Sequence, residues 1–336
     1  LEEGVWGGFL ERMPDRRIET PDNLKQWQIR KHMNQTIKHR YLSAKQYTKE
    51  IAEFPQNTFH FFHCILPHRP HEFLPSGSLY NVPEENGVSP DDFIRIERTA
   101  HILQVGLADT ILGELKAALQ KANRWDDALV IVVADHGEAY DTSGNKRLIA
   151  PDNLGNTAFV PLFIKYSKQK KGSRNETNVQ TIDIAPTVRD ILGIEYGPST
   201  QGRSLVDQSA KIPSQKTVHS HSGKIHHFSP EHYAEQRAAA HQEAIDFFHL
   251  EDPRSDLFNY GPGIDYVGLS ADSLISLRIP CQIHSNGPEV FRGVKLTPGE
   301  IPTFLEGTIV APRPLSSNKI VMAIAVNGVV RLVTQP

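Results

Sequence analysis

An aspartate and a histidine follow a short apolar run near the middle of the chain. The run covers residues 128–134, and Asp135, His136 and Gly137 come directly after it. A carboxylate oxygen beside an imidazole nitrogen suits one divalent cation, and a glycine lets the backbone turn sharply. The pattern predicts a metal site, and the alternative is that Asp135 caps a following helix while His136 is an ordinary loop histidine.

Strands are expected to position these side chains. The uninterrupted apolar run at 128–134 is typical of a parallel strand covered on both faces, and ligands bind beyond the carboxyl ends of such strands. Residues 58–66 are apolar and aromatic enough for a second buried strand. Pro67, Pro70 and Pro75 then force an irregular loop. The end of this second strand is expected beside the first.

Periodicity and breakers predict the other elements. One or two basic helices are expected at 22–53, where the charge indicates either a solvated face or a surface for anionic lipid or a polyanion. A strand is expected at 159–165, and helices at 181–192, ending at Gly193, and at 229–249. Asn327-Gly328 predicts a hairpin. A long helix is expected at 93–122 from apolar positions at helical spacing: Ile102, Val105, Ile111, Leu112, Leu115 and Leu119.

Composition narrows the class of protein. The chain has 336 residues and a net charge of −3, from 36 basic and 39 acidic residues, so no global field attracts nucleic acid. We therefore expect no nucleic-acid partner. The sequence contains no apolar run of about 18 residues. Cys64 and Cys281 are expected to be free thiols in the core.

Several further blocks accompany Asp-His-Gly in a specific order and spacing. The blocks are Leu66-Pro-His-Arg-Pro70, Asn153-Leu154 with Val160-Pro-Leu-Phe-Ile-Lys165, Thr181-Ile-Asp-Ile-Ala-Pro-Thr187 and Gly202-Arg-Ser-Leu205. Together they resemble the C-terminal half of the sulfatase branch of the alkaline phosphatase superfamily, over roughly residues 55–206. More narrowly, they resemble bacterial membrane-anchored proteins with an extracytoplasmic sulfatase-like domain.

The resemblance implies an α/β fold: an alkaline-phosphatase-like, mostly parallel sheet flanked by helices, with its N-terminal part missing from this chain. Beside it we expect a small C-terminal β domain. The expected domains are a helical lead-in at 1–54, a partial sulfatase-like domain at 55–249, a linker at 250–272 and the β domain at 273–336.

The resemblance also implies roles for individual residues. Asp135 and His136 match a pair of metal ligands, and the metal is expected to be calcium, with manganese or zinc as alternatives. His68 matches a histidine that contacts the anionic group or the leaving oxygen. Arg147 lies where some members carry a basic residue that touches sulfuryl oxygens. His63 is either a residue supporting this site or, as the safer prediction, a packed strand histidine.

In the family the nucleophile derives from a Cys or Ser in a Cys/Ser-x-Pro-x-Arg motif, which is matured to formylglycine, and this chain does not contain the motif. Cys64 is rejected, because the proline and arginine that follow it are each one place too late. We therefore expect the nucleophile to lie outside this chain, which would be part of a longer protein.

A histidine-rich tract occurs at 218–227, followed by His232. Relatives of the phosphatase type take a further histidine ligand downstream of the Asp-His pair. Clustered histidines also bind adventitious metal at surfaces. A cleft or surface role is favoured over a ligand role.

The resemblance implies metal-dependent hydrolysis of sulfate or phosphate esters at the cell envelope. The implied partners are a sulfated or phosphorylated glycan or lipid substrate, and a membrane reached through a segment absent from this chain. The implied location is extracytoplasmic, in the periplasm or at the cell surface. Two alternatives stay open: a transferase of phosphate-linked headgroups with the same fold, and a non-catalytic envelope binding or assembly module.

Overall fold

The computed structural model describes thirteen stretches of the chain. Most of residues 58–248 lie within them, and the C-terminal residues are described in shorter pieces. The described residues are 29–54, 58–80, 90–140, 147–150, 153–194, 201–207, 209–220, 223–248, 263–274, 282–285, 300–301, 307–310 and 322–334.

Five α-helices lie in these stretches, and four of them agree in position with the predicted helices. The short helix at Leu154–Thr157 was not predicted. The prolines at the start of α2 and α5 suit a first helical turn. Gly193 ends α4 in the left-handed conformation, with φ of 65°, as its position in the sequence predicts. The helices are α1 (Ile29–Glu50), α2 (Pro90–Lys121), α3 (Leu154–Thr157), α4 (Ile184–Leu192) and α5 (Pro230–Phe248).

The described strands are short and pair two by two. Only β1 and β7 are parallel, and the other four pairs are antiparallel. The strands are β1 (Leu79–Tyr80), β2 (Val130–Val133), β3 (Leu162–Lys165), β4 (Lys216–His219), β5 (Ile225–Phe228), β6 (Gln282–Ser285), β7 (Glu300–Ile301), β8 (Gly307–Val310), β9 (Met322–Val326) and β10 (Val329–Thr334).

The apolar run before Asp135 forms β2, as predicted, but two details of that prediction are wrong. Its described partner is β3, which runs antiparallel, with Val130 opposite Lys165 and Val133 opposite Leu162. The pair is not covered on both faces, because Val133 and Phe163 are 41% and 64% exposed. An apolar run records hydrophobicity and not the direction of a neighbour, so the sequence could not distinguish the two pairings.

Residues 58–66 do not form the predicted strand. The segment is extended without ladder hydrogen bonds, and Phe59, Phe61 and Ile65 are partly exposed. Phe62 instead stacks on Tyr47 of α1 with a centroid separation of 4.3 Å. The aromatic pattern therefore reflects packing on a helix rather than pairing in a sheet.

The main described core lies between α1, α2 and the loop at 66–80. Ala44, Leu66, Phe73, Leu107 and Ile111 form one buried cluster. The buried stripe of α2 runs through residues 100, 103, 107 and 111, so the predicted stripe is wrong at Val105, which is 42% exposed. The chain from Leu66 to Tyr80 is thereby fixed against two helices.

The C-terminal hairpin has the predicted turn. β9 and β10 pair antiparallel, and Asn327 and Gly328 both have positive φ, as a type I′ turn requires. Residues 268–271 also exchange backbone hydrogen bonds with residues 328–330. The domain boundaries at 54, 249 and 272 stay a prediction.

Candidate active site

Asp135 and His136 lie at the end of β2, where the sequence placed them. Their side chains are 82% and 40% exposed, and Asp135 Oδ2 is 3.8 Å from His136 Nε2. His136 Nδ1 lies 2.9 Å from the carbonyl oxygen of Gly137. Because a carbonyl oxygen only accepts, a proton is assigned to Nδ1, and Nε2 faces the carboxylate.

Gly137 holds this turn against α3. Its N–H donates to the carbonyl of Thr157 over 2.7 Å. A Cβ at this position would lie 2.0 Å from the carbonyl oxygen of Asn156, so only glycine allows the approach. No helix follows within residues 136–140, so the alternative that Asp135 caps a helix there is not supported.

His68 lies in the proline loop that follows Leu66. Its Nδ1 is 2.7 Å from the carbonyl oxygen of Arg69, which again assigns the proton to Nδ1. Its Nε2 contacts the guanidinium of Arg147, a group that only donates. Both contacts select one neutral tautomer. The structure therefore brings together the two residues that the sequence proposed for the anion.

Arg147 is carried by a loop organised by Asn153. The amide of Asn153 donates to the carbonyl of Leu148 and accepts from the N–H of Ala150, at 2.8 and 2.9 Å. Thr157 Oγ1 donates in turn to the carbonyl of Asn153, over 3.0 Å. The loop bearing Arg147 and the turn bearing His136 are thus both anchored on α3.

An ion-pair bridge connects the His68 loop to the β2 turn. Arg69 lies 2.8 Å from the carboxylate of Glu138 and 2.6 Å from that of Glu97 on α2. Both carboxylates are nearly buried, with side chains 10% and 12% exposed. The sequence analysis missed this bridge. The available signal was a charged residue in each of two blocks, Arg69 in the proline-rich block and Glu138 directly after the apolar run and Asp-His-Gly.

Three aromatic rings pack in a row beside the bridge. His71 and His101 have centroids 5.1 Å apart, and His101 and Tyr140 have centroids 5.4 Å apart. Burial lowers the pKa of His101, although the Glu138 carboxylate opposes that shift. Burial also raises the pKa of Tyr140. Both groups are therefore held neutral, and the stack supports the turn between Glu138 and Tyr140.

The donor chemistry at the end of β2 fits a divalent cation in part. One carboxylate and one imidazole, with Nδ1 held by a backbone carbonyl, match the usual arrangement around a metal-binding histidine. Within the described stretches no group of three or more His, Cys, Asp or Glu side chains is arranged to hold a metal ion. Of the described side chains of these four types, Asp135 and His136 are thus the two that the site offers.

The other sequence candidates lie apart from this arrangement. His63 is exposed and outside any strand, so the prediction of a packed strand histidine is wrong. Cys64 is half-buried, and burial raises the pKa of its thiol. Cys281 lies outside the described residues. In the histidine-rich tract, His226, Phe228 and His232 form a ring stack on β5 and α5.

Another block of the resemblance, at 181–187, is held to residues 202–205 by hydrogen bonds of two buried side chains. Asp183, 2% exposed, accepts from the N–H groups of Gln180 and Arg203, both at 2.9 Å. Thr187, fully buried, donates to the carbonyl of Asp183 and accepts from the N–H of Leu205. We call Asp183, Thr187 and residues 202–205 the 183–205 lock.

The fold and this site define an α/β protein with ionisable side chains at one end of a strand. The Sulfatase family model matches residues 11–194, more than half of the chain. The chain therefore belongs to the sulfatase family. This membership supports the predicted α/β, alkaline-phosphatase-like fold class.

Curated relatives match shorter parts of the chain. It is similar to the multifunctional alkaline phosphatase superfamily protein PehA of Trinickia caryophylli, with 32% identity over 39% of this chain and 26% of PehA. It is similar to the choline-sulfatase of Rhizobium meliloti, with 32% identity over 38% and 23% of the two chains. For arylsulfatase K of Danio rerio the identity is 27%, over 42% and 25%.

A solved phosphonate monoester hydrolase, SpPMH from Silicibacter pomeroyi, aligns with a TM-score of 0.34 and 25% identity over 43% of this chain and 28% of its own. The chain spans about a quarter of the length of the curated relatives it matches.

Proposed function

We propose that this chain carries one side of the active site of an ester hydrolase that acts on sulfate or phosphate esters. The observation that carries the proposal is the convergence of two loops. The contact between His68 and Arg147 is joined, through the Arg69–Glu138 ion pair, to the turn that bears Asp135 and His136. Both loops lie at the end of β2, where the side chains are open to solvent.

Each side chain has a role that its chemistry allows. Arg147 offers a planar, permanently charged donor group to the non-bridging oxygens of the ester anion. His68 holds its Nε2 lone pair beside that guanidinium, so it can take up a proton and return one to a leaving oxygen. Arg69 keeps the two loops together through its ion pair with Glu138.

Asp135 and His136 would hold a divalent cation, which supplies positive charge for the ester oxygens and for the attacking group. Calcium is proposed first, because hard oxygen ligands dominate its sites, with manganese or zinc as alternatives. No residue of this chain is assigned as the nucleophile, which we place elsewhere in the full-length protein.

We further propose an envelope location and a sulfated or phosphorylated glycan or lipid as the substrate. The support is the resemblance of the proline-histidine block and the Gly202-Arg-Ser-Leu205 block to membrane-anchored, extracytoplasmic relatives. No helix within the described residues is both long and apolar enough to cross a membrane. Fractionation of cells that express the full-length protein tests the location.

The test is hydrolysis by the full-length protein. Aryl sulfate, phosphate monoester and phosphate diester substrates are assayed with calcium, manganese or zinc and with chelator. We expect metal-dependent release of the alcohol, and a loss of about a hundredfold or more in kcat/KM for His68→Gln and for Arg147→Met.

His63→Gln is the matched control, since this exposed histidine lies five residues before His68 and should leave the rate unchanged. Equal rates for His68→Gln and wild type would overturn the assignment. Transfer of the anion to an added acceptor alcohol, with no hydrolysis, would favour the transferase alternative instead.

A further inference from the structure

The loop that carries His68 is held from behind by a fully buried glutamine. Gln104, on α2, is 0% exposed. Its amide nitrogen donates to the carbonyls of Pro67 and His68, at 3.0 and 2.9 Å. Its amide oxygen accepts from the N–H of Glu72, at 3.1 Å. All the described hydrogen bonds of this side chain thus go to the backbone of one loop.

A second side chain holds the same carbonyls from another helix. Arg40, on α1, donates through one guanidinium nitrogen to the carbonyls of His68 and Arg69, at 3.1 and 2.8 Å. The carbonyl of Arg69 is also the acceptor for Nδ1 of His68. Arg40 therefore fixes the group that selects the tautomer of the imidazole.

Buried polar groups in a helix stripe are costly unless they are fully bonded. Gln104 lies between Leu103 and Leu107 in the buried stripe of α2, where a leucine would fill the space without that cost. Its three hydrogen bonds to one loop supply a reason for a polar residue at this position. Neither Gln104 nor Arg40 has a described contact with Arg147, Asp135 or His136.

We propose that Gln104 and Arg40 are positioning residues, which fix the backbone of residues 67–69 so that the His68 imidazole presents Nε2 to Arg147 as the Nδ1–H tautomer. This inference rests on the proposed function for its effect on catalysis, but not for its effect on the imidazole. Misplacement of a catalytic group by about 1 Å can cost about a hundredfold in rate.

The test measures the imidazole directly. Full-length protein labelled with ¹⁵N at histidine gives ring nitrogen signals that distinguish the two neutral tautomers, and the signal missing in His68→Gln identifies His68. We expect a single Nδ1–H tautomer in wild type. Gln104→Met keeps the volume of the side chain and removes its hydrogen bonds to the loop. Arg40→Met removes the hydrogen bonds from the guanidinium to the carbonyls of His68 and Arg69. Each variant should therefore give a mixture of tautomers.

Leu119→Ala is the stability control, because it removes a buried side chain from the same helix four turns further on. At a similar loss of melting temperature it should keep the wild-type His68 signal. Unchanged His68 ring signals in both Gln104→Met and Arg40→Met would overturn the proposal. Should Gln104→Met fail to fold, Arg40→Met alone decides it.

Kinetics provide the second readout. Gln104→Met and Arg40→Met should both lower kcat by about tenfold to a hundredfold with a smaller change in KM, because the contact of Arg147 with the anion is retained. If wild type hydrolyses no ester, the proposed function fails while the ring signals still decide the positioning role. If wild type is active and the variants show wild-type signals and rates, only the positioning role fails.

Discussion

The end of β2 and the 183–205 lock contain similar residue types and use them in opposite ways. Asp135 is 82% exposed and accepts one described hydrogen bond, from the N–H of the next residue. Asp183 is 2% exposed and accepts hydrogen bonds from two backbone N–H groups, that of Gln180 and that of Arg203, which lies 20 residues further along the chain. The Asp135 carboxylate is open to a ligand, whereas the Asp183 carboxylate is already hydrogen-bonded to the backbone of the protein.

The difference shows that family blocks carry two kinds of constraint. The Thr181–Thr187 and Gly202–Leu205 blocks, which both belong to the sulfatase resemblance, hold each other through hydrogen bonds of two buried side chains. Gly202 has φ of 86°, and a Cβ there would lie 2.3 Å from the carbonyl oxygen of Ile182. The blocks around His68 and Asp135 leave their side chains exposed. Residues that match the family pattern thus reflect the fold in the 183–205 lock and candidate chemistry at the end of β2.

The largest effect is expected from Asp183→Ala. It removes two hydrogen bonds of a buried carboxylate to backbone N–H groups, each worth about 2 kcal/mol, so the free energy of unfolding should fall by about 4 kcal/mol. Chemical denaturation measures the change. Asp109→Ala, at an exposed helix position, is the control and should change the value by less than about 0.5 kcal/mol. Equal stability of the two variants would refute the lock.

A smaller loss of stability is expected from Gly137→Ala, which tests whether the turn bearing Asp135 and His136 is held against α3. The new Cβ would collide with the carbonyl of Asn156, so the turn must leave α3 at a cost of about 3 kcal/mol. Gly113→Ala is the matched control, because a Cβ at Gly113 meets nothing within 4 Å and α2 gains helix propensity. A lower melting temperature for Gly113→Ala than for Gly137→Ala would contradict the docking of this turn.

Local signals predicted what local interactions determine. The helix at 90–121, the glycine end of α4 and the Asn327-Gly328 turn each depend on spacing or on backbone preference within a few residues. Asp135 and His136 were found because they follow an apolar strand directly. The antiparallel pairing of β2 with β3 was not predicted, because strand direction depends on a segment that lies 29 to 35 residues further along the chain, from Val133 opposite Leu162 to Val130 opposite Lys165.

Polar residues that act at a distance were missed for the same reason. Gln104 is one polar position within an apolar stripe, and its partners lie 32 to 37 residues earlier in the chain. Arg40 was part of a basic segment that suggested a solvated or lipid-facing surface, yet it points into the His68 loop. A polar residue inside a predicted buried stripe is the signal that should prompt a search for such a role.

The smallest stability change, with the most specific consequence, is expected from Asp135→Asn. Because this carboxylate is exposed, the free energy of unfolding without metal should change by less than about 0.5 kcal/mol. If Asp135 binds a divalent cation, metal at a hundred times its Kd should stabilise wild type by about 2.7 kcal/mol, and the variant should lose most of that gain. Thermal unfolding with calcium, manganese, zinc or chelator measures both quantities. Asp127→Asn, an exposed carboxylate before the other end of β2, should keep the full metal response. An equal response in all three proteins would place the cation elsewhere and leave Asp135 as a residue of the turn alone.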